Sequence, residues 1–311
     1  MLKYIGKRLF YMILTLALIA TATFFLMKVL PGSPIASASK LSPEQREIVE
    51  ARYGLDEPVP VQYIKYMTNM AQGDLGVSLN QFKGANVTDL ILSRIGPSAQ
   101  IGLQGMVFGT IIGILFGMVA ALRQNTWIDY GSTIIAIFGI SIPSFVFASM
   151  LQYFFAIKVE WFPVALWNDG FMSSVLPSLA LAMGPLAIAA RFIRTEMIEV
   201  LSSDYITLAK AKGASGTEVA FKHAFRNALI PLITVLGPMA VGLLTGSLVI
   251  EQIFAIPGIG EQFVKAIMVN DFAIIMGTTM FFSAFLIAVI LIVDILYGVI
   301  DPRIRLSGGK S

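Results

Sequence analysis

The sequence predicts an all-α integral membrane protein with six transmembrane helices and a hydrophilic segment after the first of them. Two observations carry this prediction. The 311 residues are 56% hydrophobic and 13% charged, with a mean hydropathy of +0.79, which is a composition typical of membrane proteins. Six apolar runs also follow one another along the chain, each near or above the ~20 residues that a helix needs to cross a bilayer.

The first apolar run, Leu9–Met27, is uncharged and follows Lys3, Lys7 and Arg8. A cleaved signal peptide is the alternative, because Ala36-Ser37-Ala38 resembles a cleavage site. The run is longer than the ~7–15 apolar residues of a signal core, and five more runs follow, so we expect an uncleaved helix. The later runs are Ser98–Leu122, Tyr130–Ile157, Met172–Ala190, Ala228–Ile250 and Phe272–Ile295.

A hydrophilic segment separates the first two runs. Helical stretches are predicted around Pro43–Arg52 and Val61–Met70, followed by a glycine-punctuated turn. A catalytic site built from Glu57, Asp74 and Asp89 is one interpretation of its acidic residues. Solvated loop charges explain them better, because so short a segment is hardly an independent catalytic domain.

Four glycines recur every fourth residue in the second run, at Gly105, Gly109, Gly113 and Gly117. In a helix this spacing forms one groove that another backbone can approach closely. General enrichment of glycine in membrane helices is the alternative, but it accounts for one or two glycines rather than four in register. We therefore predict a helix-packing face.

The third run is long and contains Gly139 and Pro143. Proline removes a backbone donor and crowds the preceding turn, so this run should kink or tilt. A kink beside a pore could serve as a gate, or it could only accommodate the length of the run.

A polar stretch between the fourth and fifth runs, residues 204–231, is predicted to form two helices that meet at a corner; we call it the elbow. Gly213 stands where a helix commonly stops. Ser215 and Glu218 fit a capping box that would start a second helix, and Glu218 is spaced to pair with Lys222. The predicted apolar side of this second helix consists of Val219, Phe221, Phe225 and Leu229.

Several enzyme classes are disfavoured. The chain has no cysteine and its single histidine is His223, which excludes thiolate chemistry and a multi-histidine metal site. The C-terminal Gly308-Gly309-Lys310-Ser311 resembles the end of a phosphate loop, but Ile304 stands where the first glycine is needed. An intramembrane serine protease would need an activating partner for Ser141 or Ser144, and none is evident.

Asp294 is the clearest ionisable residue within a membrane run, so it is a functional candidate by default. The alternative is that it lies at the interface or pairs with Arg191 or Arg194. Further acids or histidines at mid-depth are missing from the sequence, which disfavours a proton-coupled transporter.

The basic residues predict the orientation of the chain. With the N-terminus inside, the short external loops carry only Lys158 and Lys265, and we predict that both termini and the elbow are cytoplasmic. The same topology explains the net charge of +3 without nucleic-acid binding. The cytoplasmic cations would be Lys3, Lys7, Arg8, Arg123, Arg191, Arg194, Lys210, Lys212, Lys222, Arg226, Arg303, Arg305 and Lys310.

The elbow resembles the EAA loop of binding-protein-dependent ABC importers, in the form found in peptide permeases of the OppB/DppB type. The resemblance extends over nearly the whole chain, but the general Glu-Ala-Ala pattern is reduced here to Ala209 before the glycine. The matching elbow residues are Asp204-Tyr205, Ala209-Lys210-Ala211-Lys212-Gly213, His223-Ala224-Phe225-Arg226-Asn227-Ala228-Leu229 and Pro231. Outside the elbow they are Tyr53-Gly54-Leu55-Asp56, Pro58, Gln62-Tyr63, Gly73-Asp74-Leu75-Gly76, Glu251, Phe254, Pro257-Gly258, Gly260, Asp271 and Asp301-Pro302-Arg303.

This resemblance implies a type I ABC importer permease in a bacterial cytoplasmic membrane. It implies residues 1–30 as the N-terminus and first helix, 31–97 as an extracytoplasmic segment, 98–301 as the permease core and 302–311 as a cytoplasmic tail. The implied partners are a second permease subunit, two ATPase subunits that bind ATP and Mg, an extracytoplasmic binding protein, membrane lipid and a peptide substrate. No cofactor is expected in this chain, and its substrate-binding residues are unknown.

The residues implied to couple to the ATPase are Ala209, Lys210, Gly213, Glu218, Phe221 and His223. Two alternatives stay open. One is the same class of transporter with another cargo, such as nickel, glutathione or another small solute. The other is a membrane assembly protein that transports nothing.

Overall fold

The computed structural model describes residues 2–29 and 42–300, and in these ranges the chain is helical, with one isolated β-bridge between Val77 and Asn86. The side chains of residues 2–5, 46, 230 and 293–300 are also outside the description. The residues that resemble a cleavage site, 36–38, the tail at 302–311 and the side chain of Asp294 therefore lie outside the described part of the chain.

Five helices in the described ranges are long and apolar enough to cross a membrane, and a sixth span results if one bent pair is counted as a unit. This agrees with the six predicted runs. The five candidate spans are Gly6–Val29, Val87–Leu122, Phe171–Leu201, Pro231–Ile253 and Phe272–Ile292.

The bent pair is the predicted third run. Helix α5 spans Trp127–Ser141, and α6 spans Ser144–Leu151 and continues as a π-helix, Gln152–Lys158. The two parts are bent by 103°. Ile142 is held in an extended conformation because Pro143 follows it, and this ends α5. The kink predicted from Pro143 is thus confirmed.

Two helices are longer than the sequence predicts. Helix α4 spans Val87–Leu122 and holds Pro97 inside it, whereas the predicted run begins at Ser98. Helix α7 spans Phe171–Leu201, so Arg191 lies within the helix rather than at its end. In both cases apolarity marked only the part that suits a bilayer, and the helix continues into more polar residues; in α7 these include the good helix formers Arg194 and Glu196.

One compact unit consists of residues up to Gly96 together with Gly258–Ala288. It contains α1 (Leu2–Val29), the hydrophilic segment, the first turns of α4, helix α12 (Ile259–Met268) and the first half of α13 (Phe272–Ile300). Its apolar core cluster includes the buried residues Met27, Val87, Ile91, Ile259, Ala266, Ile274 and Ile275.

Within the hydrophilic segment, α2 spans Pro43–Arg52, the predicted bounds. Its start is fixed by a reciprocal capping box. The hydroxyl of Ser42 accepts from Gln45 N at 3.2 Å, and Gln45 Oε1 accepts from Ser42 N at 3.1 Å. Helix α3 spans Val59–Ala71, and Gly73, which terminates it, has a φ of +82°.

The second unit consists of Pro97–Pro257 and the residues from Val289 onward. It contains most of α4, α5 to α7, the elbow, α10 (Arg226–Leu244) and α11 (Leu248–Ile253). Within it, a buried hydrogen bond joins α4 to α11: Ser98 Oγ donates to Glu251 Oε1 at 2.6 Å. Both residues are fully buried.

The glycine row of α4 lies directly against α7 in this unit. A Cβ on Gly109 would meet the carbonyl oxygen of Ala182 at 2.2 Å, and one on Gly113 would meet that of Leu186 at 2.3 Å. Gly105 and Gly117 face Ser178 and Ala190 in the same way, at 2.9 and 2.6 Å. The four-residue spacing on α4 therefore matches a four-residue spacing on α7, and the two backbones approach closely along the whole row.

Candidate functional site

The elbow begins with helix α8, which spans Asp204–Ala211 and ends in a Schellman motif. Gly213 takes a φ of +90°, its amide donates to Lys210 O at 3.0 Å, and the amide of Ala214 donates to Ala209 O at 3.1 Å. Three residues singled out from the sequence, Ala209, Lys210 and Gly213, therefore supply the backbone that stops the helix. The stop at glycine is as predicted.

A second helix starts two residues later. The hydroxyl of Ser215 accepts from Glu218 N at 3.2 Å, and α9 spans Gly216–Glu218. Glu218 Oε1 accepts from Lys222 Nζ at 3.0 Å, which is the predicted pair. The Lys222 ammonium holds the pKa of the Glu218 carboxyl below its ordinary value. The N-cap hydrogen bond of Ser215 and the Glu218–Lys222 salt bridge thus both stabilise the start of this exposed helix.

The predicted apolar side of the second helix is wrong at Phe221. Residues Val219–Phe225 form a π-helix, whose i→i+5 hydrogen bonds shift the register relative to an α-helix. The side chain of Phe221 is 56% exposed, whereas Val219, Ala220, Ala224, Ala228 and Leu232 are buried. Small residues rather than Phe221 therefore face the core.

The elbow is anchored to the membrane helices through that buried face. Ala224, Ala228 and Leu232 pack in one apolar cluster with Ile193 and Met197 of α7. Asn227 Nδ2 also donates to the Tyr205 hydroxyl at 2.9 Å, which ties α8 to the start of α10. A displacement of the elbow must consequently displace α7 as well, because close-packed contacts transmit strain.

The elbow also holds an open cleft of about 390 Å³. Of the residues singled out from the sequence, Ala209, Gly213, Glu218 and His223 line it, whereas Lys210 and Phe221 do not. Its other lining residues are Tyr205, Leu208, Lys212 and Ala214. Tyr205 and Leu208 are 45% and 56% exposed, so the cleft combines exposed apolar side chains with the charged Lys212 and Glu218.

An ion pair next to the elbow was missed by the sequence reasoning. Arg194 of α7 binds Asp129 of α5, with Nε to Oδ1 at 2.5 Å and Nη2 to Oδ2 at 2.8 Å. The Arg194 guanidinium is thus bound to a carboxylate within the described residues, whereas the predicted alternatives for Asp294, an interfacial position or a pair with Arg191 or Arg194, fall on a side chain outside them. The available signal was an acid in the first turn of a span, which indicates an internal partner.

A buried carboxylate in the first unit also carries more interactions than the sequence indicates. Asp271 Oδ2 accepts from Ser78 Oγ at 2.6 Å and from the backbone amides of Asn80 and Gln81, each at 3.0 Å. Asp271 is fully buried. Asp271 immediately precedes α13, so these hydrogen bonds hold the turn after α3 against the start of that helix. The acidic site considered for Glu57, Asp74 and Asp89 does not include this carboxylate.

Solved structures with a similar fold are ABC importers. An inward-facing form of the MetNI methionine ABC transporter matches with a TM-score of 0.56 and 16% identity, covering 68% of this chain and 96% of that chain. An amino acid ABC transporter solved with histidines matches with a TM-score of 0.51 and 14% identity, covering 67% and 93%. The fold is therefore that of an ABC importer permease.

Two family models match the sequence. The binding-protein-dependent transport system inner membrane component matches residues 113–306, and the N-terminal component of such systems matches residues 1–85. The chain belongs to this family of binding-protein-dependent transport permeases.

Relatives of similar length carry names from peptide transport. The dipeptide transport system permease protein DppB of Lactococcus lactis is 46% identical over 306 residues, covering 98% of this chain and 100% of that protein. DppB of Bacillus subtilis is 44% identical, covering 98% and 99%. The oligopeptide transport system permease protein OppB of Haemophilus influenzae is 42% identical, covering 98% and 100%.

Proposed function

We propose that this chain forms half of the transmembrane path of an ATP-driven importer of short peptides. A second permease subunit supplies the other half, two ATPase subunits dock on the elbow, and an extracytoplasmic binding protein delivers the cargo. The names of relatives that are 42–46% identical over almost the whole chain support the peptide cargo.

The observation that carries the coupling role is the construction of the elbow. It presents a cleft edged by the exposed Tyr205 and Leu208, and buried residues of its second helix are packed on α7. A surface of this kind suits a docking partner whose motion must reach the membrane helices. Alternating access then follows if the ATPase contacts the elbow differently in its open and closed states.

The cytoplasmic location of the elbow and of both termini belongs to the proposal. The two termini, the short loops on the elbow side and the adjoining helix ends hold 13 of the 22 Lys and Arg residues, which supports this orientation. Because the chain has no cysteine, a single cysteine at Lys210 or at Lys83 can be labelled without background. We expect an impermeant maleimide added to intact cells to label Lys83→Cys and not Lys210→Cys.

The coupling role is tested with a matched pair of glycine variants. Gly213 and Gly73 both have a positive φ, both end a helix by the same hydrogen bonds, and both have open space where a side chain would begin. Gly213→Glu should abolish the co-purification of ATPase subunits and ATP-driven uptake of a labelled dipeptide. Gly73→Glu should strain the backbone equally and leave the ATPase subunits bound.

Equal retention of the ATPase subunits by both variants would show that the elbow is not the docking surface. Competition experiments separate the alternative cargoes. If unlabelled nickel or glutathione suppressed uptake and unlabelled dipeptides did not, the peptide assignment would be overturned. A purified complex with no ATP-driven uptake of any solute would support the assembly-protein alternative.

A further inference from the structure

A second cavity lies in the first unit, far in sequence from the elbow. It has a volume of about 530 Å³, which is within the usual range of small-molecule sites. Its base is formed by the end of α1 and the beginning of α13, and its walls by α2, α3 and the turns that join them. The base residues are Phe24, Met27, Phe272, Ala273 and Met276.

The position of this cavity relative to the bilayer follows from the two spans that form its base. The span of α1 ends at Val29, and the span of α13 begins at Phe272. Residues at both ends face the cavity, so it lies where the hydrocarbon core gives way to the head-group layer. The apolar base borders the hydrocarbon side, and the polar walls belong to the hydrophilic segment.

The charges that line the cavity are unequally satisfied. Glu57 Oε1 is bound by Lys65, although Glu57 Oε2 is buried without a hydrogen-bond partner among the described residues, and Asp74 Oδ1 accepts from Gly76 N at 2.9 Å. By contrast, neither Lys28 nor Arg52 forms an ion pair with a carboxylate among the described residues. Lys28 donates to the neutral Gln62 side chain and lies 5.5 Å from the Phe24 ring centroid, and Arg52 lies 5.9 Å from that of Tyr53.

The cavity wall also contains a hydroxyl group that can donate a hydrogen bond to a ligand. The Tyr66 hydroxyl is buried in the wall and has no hydrogen-bond partner among the described residues. Burial raises the pKa of Tyr66 to about 12, so the phenol remains a donor at neutral pH. A buried donor without an acceptor costs free energy unless a ligand or a small rearrangement satisfies it.

We propose that this cavity binds the phosphate head group of an anionic phospholipid. Lys28 and Arg52 contact the phosphate, and the aromatic and aliphatic base carries the first part of an acyl chain. Three cations, Lys28, Arg52 and Lys65, line the cavity together with only two acids, and neither Lys28 nor Arg52 has a carboxylate partner among the described residues, so an anion suits the site better than the ammonium end of a peptide. The amphiphilic lining suits a lipid better than a free anion.

The test measures lipid retention in the full chain, purified in detergent with the subunits that remain bound. Delipidated protein is incubated with phosphatidylglycerol or with phosphatidylcholine, and bound lipid is counted by native mass spectrometry. We expect a preference for phosphatidylglycerol. Lys28→Gln combined with Arg52→Gln should weaken its retention by roughly thirtyfold, because each cation near a lipid surface contributes about a factor of five.

Lys83→Gln is the matched control, since Lys83 lies in the same hydrophilic segment, is exposed and does not line the cavity. It should leave lipid retention unchanged. Met276→Trp fills the base of the cavity without altering its charge and should also expel the lipid. If the double variant fails to fold, this second variant decides the result.

Three outcomes would overturn the proposal. One is retention of phosphatidylglycerol that is the same in wild-type protein and in Met276→Trp. Another is displacement of the lipid by millimolar inorganic phosphate, which would identify a free-anion site. The third is displacement by Ala-Ala dipeptide, which would identify a site for cargo.

Discussion

Arg194 and Asp129 join α7 to α5 through two parallel hydrogen bonds, and the Asp129 side chain is 1% exposed. Arg194 lies in the same helix as Ile193 and Met197, on which the elbow packs. Asp129 Oδ2 also accepts from Asn125 N at 2.9 Å, so the carboxylate fixes the turn before α5. This one side chain therefore connects α5, its preceding turn and the helix that carries the elbow.

Removing one partner of this pair should be strongly destabilising. Arg194→Gln leaves a buried carboxylate without a cation, which typically costs about 3–5 kcal/mol. We expect a large fall in the thermal midpoint of the purified complex. Arg191→Gln is the control, because Arg191 is an exposed neighbour on α7 and should change the midpoint little. Similar midpoints for the two variants would contradict a structural role for the pair.

The close approach of α4 and α7 predicts a difference between two Gly→Ala variants. Gly109→Ala places a methyl group 2.2 Å from the backbone of Ala182, so the helices must separate, at a cost of roughly 1–3 kcal/mol. Gly131→Ala, within α5, meets nothing within 4 Å. Thermal unfolding in detergent should therefore show a loss of stability only for Gly109→Ala. If Gly109→Ala left the stability unchanged, α4 and α7 would not be so close in solution.

The buried Asp271 predicts how the turn after α3 responds to substitution. Asp271→Asn weakens three hydrogen bonds that the carboxylate accepts, and charge-assisted bonds of this kind contribute about 1.5–3 kcal/mol each. We expect trypsin to cleave after the exposed Lys83 at least tenfold faster in this variant. Asp89→Asn, which has the same change of charge on an exposed residue, should be cleaved at the wild-type rate.

The π-helix of the elbow predicts different roles for two phenylalanines. Phe221 is 56% exposed, whereas Phe225 packs beside the apolar cluster on α7. Phe221→Ala should change stability by less than ~0.5 kcal/mol and, if the proposed docking is correct, reduce ATP-driven uptake. Phe225→Ala should lower the thermal midpoint by an amount that reflects about 2–4 kcal/mol of lost packing. The opposite ranking of the two midpoints would contradict the π-helical register.

Local chemistry was enough to predict the helix ends that depend on neighbouring residues. The stop at Gly213, the start at Ser215 and the bend at Pro143 each follow from a side chain, or a missing one, acting on backbone within a few positions. The bounds of α2 follow for the same reason. The four-residue glycine spacing likewise indicated a packing face before any neighbour was known.

The sequence by itself determined the class of fold, since apolar runs of bilayer length and a polar elbow are properties of the chain alone. Only the tertiary structure decided that Arg194 binds Asp129 and that Asp271 fastens the turn at Ser78. These partners are 65 and 193 residues apart, and no local propensity selects between equally suitable partners. The exposure of Phe221 was also decided there, because side chains two positions apart on a helix do not face the same side, and the structure buries Val219 rather than Phe221.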